Sequence, residues 1–432
     1  MHLCLFEDAA VSHLHPLVDT RAAFDLRLGA RTLLETIRDA VQPDGLILHT
    51  RPLVEGVTAQ AHPNALIRTL PDGADVLFWN ARAVAHPGPV IDELRFRLAT
   101  DDTGFTLSQG DTLVAAFVPN AAASLPKGAL HTRALGATLF DGLPAESISD
   151  IRLVSQLWNL LDDLRDTIRT DIQAATAEQA PQPALSDRAD VSVHPSAIVV
   201  NPEQIVTEPG ATVRPGAILN AEDGPILLGR DAVIHERAVV RGPCVIGPNS
   251  HVKIGADVEG CAFGYYCKVG GEVHGTVIHS LSNKGHAGFL GDSYLGRWCN
   301  LGADTNTSNL KNDYGSISAY DPAEGAFVDT RRQFLGLVMG DHSKCGINTM
   351  FNTGTVVGTF CNLFGGGFPP RYVPAFSWGS PGTGFAEYRL EKALRVAEAV
   401  LARRDTPLTD ADRTLLTRLF DQTAPERARR FG

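Results

Sequence analysis

Hydrophobic residues in the middle of the chain recur every six positions. One register is apolar and holds Leu228, Ile234, Val240, Ile246, Val252 and Val258, then Met339, Cys345, Phe351, Val357 and Leu363. A second register is small and holds Ala232, Ala238, Cys244, Ser250 and Ala256, then Ser343, Thr349, Thr355 and Cys361. Neither register fits a strand, which repeats every two residues, or a helix, which repeats every 3.6. Three short strands joined by tight corners fit both, so the pattern predicts the hexapeptide repeat of a parallel β-helix.

The repeat runs from about Val191 to about Trp378. With roughly 18 residues in each three-sided coil, it predicts roughly nine coils. The pattern weakens between Cys261 and Phe289, and it is lost from Asn306 to about Phe334 in polar, glycine-containing sequence. We interpret the second interruption as a loop that leaves the rod at one corner, a place where repeat proteins often carry function.

The flanking sequence predicts three further segments. Residues 1–148 mix strand-like and helix-like patterns and predict an α/β domain. Residues 149–187 hold an amphipathic helix from Ile151 to Gln179, followed by the proline-containing linker APQPALSD. The β-helix occupies residues 188–380. Residues 381–432 predict two helices, one near Ala386–Arg403 and one with Thr409 as its N-cap, which we expect to cover the open end of the β-helix.

Charge and composition exclude several classes of function. The formal net charge of −11 argues against general affinity for nucleic acid or an anionic membrane. The N-terminus has no basic segment before a long apolar run, which argues against a signal peptide, and no apolar run is long enough to span a bilayer. The seven cysteines form no CxxC pair, and several stand on repeat positions, where cysteine is a small buried hydrophobe. We therefore predict a reduced, cytoplasmic protein.

Candidate chemistry concentrates in residues 282–315, SNKGHAGFLGDSYLGRWCNLGADTNTSNLKNDYG. His286 stands among glycines and alanine, which let a ligand approach closely, and a neutral imidazole can take a proton near pH 7. Asn300 and Asn309 can hydrogen-bond a sugar or a nucleophile. Three lysines, Lys253, Lys268 and Lys284, can meet a phosphate. The same residue types also fit a surface histidine on a turn and asparagines in corner turns, so residue types alone leave the two interpretations open.

Longer motifs in this region resemble a known family. Gly285–Asp292 and Asn300–Thr305, followed by Asn309, are similar to segments of the bifunctional N-acetylglucosamine-1-phosphate uridylyltransferase/glucosamine-1-phosphate N-acetyltransferase, with Phe289 where that family has Tyr. The chain resembles a variant branch of sugar nucleotidyltransferase-like proteins more closely. The pieces that carry this resemblance are SNKxHxGFLGxSYLGxWxNLGA, LKNxYG, GDHSKxGINTMFNTGTVVG and FSWG, which cover most of residues 280–380.

The resemblance implies a left-handed β-helix that catalyses acetyl transfer from acetyl-CoA to glucosamine 1-phosphate. His286 would be the general base, Asn309 would hold the amine or orient the base, and Asn300 would contact the sugar. Further candidates that the resemblance implies are Asp304, Thr305 and Tyr314 for the substrate and Ala303, Gly346 and Gly365 for the CoA arm. Lys253 matches a phosphate-binding arginine, whereas the family's lysine aligns with His274 and has Lys268 as its nearest alternative. The site would be shared between the subunits of a homotrimer.

The resemblance extends less closely to the N-terminal domain. The family's glycine-rich phosphate loop is absent, and Arg21, Arg27 and Thr32 stand in a PLxxTR…R-x-G…T opening like that of the variant branch, which makes them the nucleotide-phosphate candidates. Asn80 is a further nucleotide-binding candidate. It stands where the family has its Mg²⁺-binding aspartate, and a neutral amide is a poorer Mg²⁺ ligand. Uridylyl transfer to N-acetylglucosamine 1-phosphate, using Mg²⁺, is therefore a second predicted activity that this domain either performs by another arrangement or has lost. The predicted partners are small sugar phosphates and a nucleotide.

Three alternatives remain open. The chain fits a sugar-1-phosphate nucleotidyltransferase whose β-helix is a trimerisation scaffold. It also fits a non-catalytic protein that binds a sugar nucleotide. The third is a Zn²⁺ enzyme on the same fold, like γ-type carbonic anhydrase, for which His274 and His279 have suitable spacing but no third histidine is evident.

Overall fold

The computed structural model describes residues 1–100, 103–176 and 188–431. The predicted linker APQPALSD and the last residues of the helix predicted before it lie outside the described residues. No helix in the described part of the chain combines the length and the apolar character needed to cross a membrane.

The N-terminal domain is a seven-stranded mixed sheet with helices on its faces. Its strands, numbered in chain order, are β1 (His2–Phe6), β2 (Gly45–His49), β3 (Leu66–Ile67), β4 (Val76–Asn80), β5 (Phe105–Gln109), β6 (Thr112–Val118) and β7 (Ala145–Ser147). The strand order is β3-β2-β1-β4-β6-β5-β7, with β1 parallel to both β2 and β4. Its helices are α1 (Leu33–Val41), α2 (Glu55–Ala61), α3 (Pro89–Thr100) and α4 (Ala121–Ser124). The α/β prediction is confirmed.

The linker helix is shorter than its apolar pattern predicts. We expected one helix from Ile151, but α5 spans Leu164–Thr176 and is preceded by a separate 3-10 turn at Leu157–Leu161. The backbone breaks at Asp163, which takes a positive φ of 47°. Apolar spacing fails to mark this break because Leu157, Trp158 and Leu161 are buried on both sides of it.

The predicted β-helix is confirmed as three stacked faces that the chain visits in the order 1, 2, 3. Face 1 has β10 (Ile205–Thr207), β13 (Ile226–Leu228), β16 (Cys244–Ile246), β19 (Ala262–Phe263), β22 (Val277–Ser280), β25 (Tyr294–Arg297), β29 (Leu337–Met339), β32 (Thr355–Val357) and β34 (Tyr372–Val373). Face 2 has β8 (Ser192–Val193), β11 (Thr212–Val213), β14 (Val233–Ile234), β17 (His251–Val252), β20 (Lys268–Val269) and β23 (Asn283–Lys284), then β30 (Lys344–Cys345), β33 (Asn362–Leu363), β35 (Ser377–Ser380) and β36 (Gly384–Glu387). Face 3 has β9 (Ile198–Val200), β12 (Ile218–Asn220), β15 (Val239–Arg241), β18 (Asp257–Glu259), β21 (Glu272–His274) and β24 (Phe289–Gly291), with β26 (Asn306–Thr307) and β31 (Met350–Phe351) continuing its line. The nine strands of face 1 agree with the predicted number of coils.

The six-residue register is the interior of this rod. Parallel pairing stacks each apolar residue on its counterpart one coil away, as with Ile234 on Val252 and Val252 on Val269. These side chains are fully buried. The seven cysteines are free and buried, and burial raises the pKa of most of their thiols, so they act as small hydrophobes as predicted.

Face 1 is covered by the N-terminal domain. Its outward side chains include Val245, Val277, Tyr294 and Val338, all at most 3% exposed and part of one core with the N-terminal domain and α5. Burying each such side chain contributes roughly 1.5–3 kcal/mol, so this contact is a substantial one. Faces 2 and 3 are left uncovered by this domain.

The C-terminal helices are α6 (Leu390–Ala402) and α7 (Asp410–Phe431). They lie along the corner between faces 1 and 2, where Leu401 packs with Leu281 and Trp298, and α7 also contacts α2. The last coil is extended on face 2 by β36, which pairs with β35. The end of α7 packs on this last coil, where Phe431 stacks on Phe385 and Arg427 binds Glu387, so the expected capping helices are confirmed. Thr409 does cap α7, since its hydroxyl accepts a bond from the Asp412 backbone N–H.

The predicted loop after Asn306 leaves the corner between faces 3 and 1 and contains the hairpin β27 (Ser318–Asp321) and β28 (Ala326–Asp329). Tyr320 stacks on Tyr372 at 3.7 Å between ring centroids, and Asp321 bonds His13 of the N-terminal domain. The loop thus packs toward face 1 and away from His286.

Candidate functional site

His286 lies on the corner between faces 2 and 3, which we call the 2–3 corner. Turns from successive coils stack here through backbone bonds, such as Asp304 N–H to the Ala287 carbonyl (3.1 Å) and Asn348 N–H to the Ala303 carbonyl (2.8 Å). This stacking brings together on one edge the predicted residues Lys253, His286, Ala303, Asp304, Gly346 and Gly365. The corner lies opposite face 1, so the N-terminal domain does not cover it.

The His286 side chain is exposed, and its ring makes no hydrogen bond with any described residue. Its loop, Gly285–Gly288, is closely fixed. Gly288 takes a φ of +104°, and a Cβ there would lie 2.2 Å from the Thr305 carbonyl oxygen. The loop therefore requires glycine at 288, and it presents a free imidazole from a fixed backbone.

Lys284 fixes this loop from the inside. Its side chain is fully buried at an inward position of β23, stacked on Val269. Its Nζ donates to the carbonyls of Gly270 (3.0 Å), His286 (2.6 Å) and Ala287 (3.0 Å). Burial lowers the pKa of Lys284 to about 8. The expected contact of Lys284 with a substrate phosphate is therefore wrong, because the ammonium points into the rod.

Three other substrate candidates lie in two places. Lys268 and Asn300 lie on face 2 in one row with Asn283, and both are exposed. Asn309 lies at the far end of β24 from His286, and its amide donates to Asp292 at 2.6 Å. Roughly 10 Å of extended backbone separates the two, so one chain does not bring Asn309 and His286 into contact.

Two further substrate candidates, Thr305 and Tyr314, lie off the exposed surface of this corner. Thr305 is buried, and its hydroxyl donates to the Gly302 carbonyl at 2.7 Å. Tyr314 lies in the long loop with 69% of its surface exposed. Neither side chain contacts the His286 loop.

The N-terminal domain has a topological switch point between β1 and β4, the usual ligand site of such sheets. In this protein the side chains of Asp8, Asn80 and Arg82 fill that site. Asn80 donates to Asp8 (2.9 Å) and to the Leu113 carbonyl, and its own carbonyl oxygen accepts from Arg82 N–H. The Arg82 guanidinium binds both carboxylate oxygens of Asp8 at 2.8 and 2.5 Å.

This arrangement does not fit a Mg²⁺ ion. Mg²⁺ needs oxygen ligands, and a cationic guanidinium already neutralises the carboxylate beside Asn80. Although burial alone would raise it, the pKa of Asp8 is lowered by Arg82, which keeps this ion pair formed. Every polar atom of the Asn80 side chain is already bonded, which leaves none for the nucleotide expected at this residue.

The three predicted nucleotide-phosphate residues, Arg21, Arg27 and Thr32, line a different part of the molecule from this switch point. Arg21 is buried and pairs with Asp341 of the β-helix. Arg27 binds the carbonyls of Gly29 and Ala30 through one guanidinium nitrogen. Thr32 is the N-cap of α1 and shares a capping box with Glu35. All three line a cavity of about 480 Å³ between the N-terminal domain, the β-helix and the C-terminal helices.

Sequence reasoning missed the β-helix side of this cavity, which includes His279, Arg297, Trp298 and His342. Three of these stand inside motifs that carry the family resemblance, SYLGxWxNLGA and GDHSK, and this was the available signal. Their role could not be read because the residues opposite them are some 270 positions away in the chain.

The Zn²⁺ alternative loses its ligand pair. His279 faces its own N-terminal domain, where its Nε2 donates to the Asp25 carbonyl at 2.9 Å, whereas His274 lies on face 3. Within the described residues, the group of three possible metal ligands is His13, Asp321 and Glu324, which includes neither histidine.

Comparison with known proteins agrees with the two-part architecture. Residues 3–180 match the family described as sugar nucleotidyl transferase. The bifunctional protein GlmU of Methanocaldococcus jannaschii is 34% identical over 90 residues, which are 21% of this chain and 21% of the relative. GlmU of Prochlorococcus marinus is 30% identical over 167 residues (38% of this chain, 32% of the relative). The bifunctional sugar-1-phosphate nucleotidylyltransferase/acetyltransferase of Sulfurisphaera tokodaii is 28% identical over 176 residues (36% and 40%). The matches thus span two fifths or less of each relative.

Proposed function

We propose, on the premise that this chain belongs to a GlmU-like family, that it is a transferase of sugar-nucleotide synthesis. In this proposal the 2–3 corner transfers the acetyl group of acetyl-CoA to the amine of glucosamine 1-phosphate. The observation that carries the proposal is the exposed, unpartnered imidazole of His286 on a loop that Lys284 holds from within.

The chemistry needs one proton acceptor beside the amine. As the amine nitrogen bonds to the thioester carbon, the neutral His286 imidazole takes the proton that the nitrogen loses. The carbon–sulfur bond then breaks, and the CoA sulfur leaves as a thiolate that receives the proton from His286. A fixed loop contributes here because it holds the base at one position relative to the bound amine.

The neighbouring turns offer a surface of suitable chemistry. The small residues Ala303, Gly346 and Gly365 leave room along the corner for the CoA arm, and the exposed side chain of Ile347 offers it an apolar contact. Lys253, on the same corner, is placed for the sugar phosphate, with Lys268 as the alternative on face 2. Asn300, Asp304 and the more distant Asn309 and Tyr314 remain substrate candidates of this proposal.

Assembly into a homotrimer belongs to the same proposal. Face 1 is occupied by the chain's own N-terminal domain, which leaves faces 2 and 3 and the 2–3 corner for neighbouring subunits. Ile254, 59% exposed, and Ile347, 67% exposed, are large apolar side chains on that corner. In this proposal neighbouring subunits share the site at His286.

The test is release of CoA from acetyl-CoA with glucosamine 1-phosphate. His286→Ala should lower the rate by roughly 10²–10⁴-fold, the usual loss for a general base. His194→Ala is a matched control, because His194 is an exposed histidine of the same corner in the first coil. A wild-type chain without CoA release, or a His286→Ala variant as fast as wild type, refutes the proposal.

A second candidate activity rests on the N-terminal family match: uridylyl transfer to N-acetylglucosamine 1-phosphate. The filled crevice at Asp8, Asn80 and Arg82 weighs against it and favours nucleotide binding without turnover. Pyrophosphate release from UTP, kept by His286→Ala, would support catalysis. UTP binding without pyrophosphate release would support the binding role.

A further inference from the structure

The outward side of face 2 carries a group of basic side chains, which we call the face 2 basic patch. Lys268 of β20 and His251 of β17 are directly paired on neighbouring parallel strands, which lie about 4.8 Å apart. Lys253 follows His251 at the 2–3 corner, and two arginines follow the last turn of α6. The members of the patch are Lys253, Lys268, His251, Arg403 and Arg404.

Apolar packing holds the end of α6 beside this patch. Leu401 packs against Trp298 at the corner between faces 1 and 2. The Arg404 guanidinium lies over the ring of Tyr266, 5.2 Å from its centroid. Tyr266 is 39% exposed and precedes Lys268 by two residues. Tertiary contact therefore brings arginines from a distant part of the chain next to the lysines of face 2.

No carboxylate balances the patch. Its four permanently charged side chains form no ion pair with an acidic group in the part of the chain that the structure describes. The pKa of Lys268 is lowered by burial and by three nearby cations. They are Arg404, Lys253 and Arg403. The C-terminal end of α6 offsets only part of the charge of the two arginines. In a protein with a formal net charge of −11, such a cluster is a local site of attraction for anions.

The patch is also accessible to a ligand. Lys268 and Arg403 are exposed, and the other three members are partly exposed. The ammonium groups of Lys253 and Lys268 make no hydrogen bond with any described residue, unlike that of Lys284, which bonds three carbonyls. Both ammonium groups are therefore free to bind an anion at the surface of the rod.

The distribution of these cations over two coils indicates an anion with two charged groups. A single phosphate at Lys253 would leave Lys268 and Arg404 without a counter-charge. A second phosphate joined to the first can lie over the next coil, because neighbouring coils are only about 4.8 Å apart and both side chains are long. Lysine binds phosphate as a point charge and arginine binds it with a fork of donors.

We propose that the face 2 basic patch binds a diphosphate, with one phosphate at Lys253 and the other at Lys268 and Arg404. The exposed ring of Tyr266 then lies beside the second phosphate, next to the group that this phosphate carries. The inference rests on the proposed function for the amine at His286 and names its substrate class. The acetyl acceptor is an amino sugar linked to a diphosphate, rather than to a single phosphate.

Calorimetric titration of the full chain with inorganic diphosphate and with inorganic phosphate tests the binding site. Diphosphate should bind roughly 10-fold more tightly than phosphate, because it adds a charge-assisted contact. Lys268→Gln and Arg404→Gln should each weaken diphosphate binding roughly 10-fold and leave phosphate binding unchanged. Lys127→Gln and Arg418→Gln are matched controls, exposed residues of the N-terminal domain and of the groove between α2 and α7, and should change neither affinity.

Steady-state CoA release tests the acceptor. UDP-glucosamine, an amino sugar on a diphosphate, should have a KM roughly 10-fold below that of glucosamine 1-phosphate, since the second phosphate adds binding. Lys268→Gln should remove this difference with little change in kcat, which a merely structural role of Lys268 would not produce. Inorganic diphosphate should compete with UDP-glucosamine. Circular dichroism shows whether each variant keeps its fold.

The possible failures are distinguishable. Diphosphate that binds no more tightly than phosphate, or that binds Lys268→Gln and Arg404→Gln as tightly as wild type, overturns the inference. Equal KM values for the two acceptors overturn the assignment of the acceptor and leave acetyl transfer standing. Absence of CoA release with either acceptor refutes the proposed function, while calorimetry still decides the diphosphate site. A changed oligomeric state of Lys268→Gln in light scattering would place the patch in a subunit interface and overturn the inference as well.

Discussion

Lys284 occupies a position where the neighbouring coils of face 2 place Val252, Val269 and Leu301. A lysine among apolar side chains is costly unless its ammonium is bonded. Three backbone carbonyls bond it, and two of them belong to the loop of His286. At the residue scale, one buried cation thus links the interior of the rod to the candidate base outside it.

Replacing Lys284 should show how much the position of the His286 loop matters, because the sequence of the loop itself stays unchanged. Lys284→Met fills the space but leaves the Gly270 carbonyl without its donor, so we expect a loss of about 1–3 kcal/mol in the free energy of unfolding. CoA release should fall at least roughly 10-fold, since misplaced catalytic groups lose rate. Denaturant unfolding, steady-state kinetics and hydrogen exchange at residues 285–288 measure these effects.

Val269→Met is the control, because it changes the adjacent inward position without removing the donor that bonds the loop carbonyls. Faster exchange and slower CoA release are expected from Lys284→Met alone. Equal kinetics in the two variants would mean that Lys284 only fills the core.

At the scale of elements, the residues that each turn of the rod accepts depend on the contacts of that turn with the next coil. Gly285 and Gly288 bound the same turn, yet only Gly288 has a positive φ and a backbone oxygen in the place of a Cβ. The turns on the corner between faces 1 and 2 tolerate large side chains at positive φ, namely Tyr266, Leu281, Trp298, His342, Phe360 and Phe376. Several of these are stacked on one another and packed against α6 and α7, which offsets their backbone strain.

The two glycines of the His286 turn give a matched pair. Gly288→Ala should destabilise the protein by several kcal/mol, on the order of 1–3 for the backbone strain with the clash against Thr305 added to it. Gly285→Ala meets open space and should change the free energy of unfolding by about 0.5 kcal/mol or less. Thermal and urea unfolding measure both, and equal effects would contradict this account of the turn.

At the scale of the whole molecule, the N-terminal domain and the β-helix share one core and one buried ion pair. Arg21 and Asp341 belong to different domains, and both side chains are 5% exposed. Burial alone would raise the pKa of Asp341, but Arg21 lowers it to about 2. Contact between the domains therefore depends on a charge that stays buried at neutral pH.

This ion pair predicts a dependence on acid. Because the folded pKa is depressed, the unfolded chain binds the proton first, so the stabilisation is complete above about pH 4 and is lost as the pH falls toward 2. Asp341→Asn should lower stability at pH 7, by about 3–5 kcal/mol for an uncompensated buried charge, and should flatten this acid-dependent loss. Urea unfolding at pH 7, 4 and 2.5 measures it.

Asp257→Asn is the comparison, since Asp257 pairs with Arg241 at 3.0 Å on the partly exposed face 3. That pair should contribute little at any pH. If Asp341→Asn and wild type lose stability in parallel between pH 4 and 2.5, the ion pair does not hold the domains together.

The sequence by itself determined the rod, its number of coils, its interruption after Asn306 and the position of His286 on a turn. It could do so because the hexapeptide register is local: each residue's inward or outward direction follows from its place in a six-residue unit. The chemistry that depends on distant residues was decided only by the tertiary structure. Lys284 turns inward to bond three backbone carbonyls, the Asn80 side chain is bonded to Asp8 and Arg82, and Arg27 and Arg297 line the same cavity. No local pattern encodes such contacts, because each joins residues from different coils of the β-helix, from different strands of the N-terminal sheet or from the two domains.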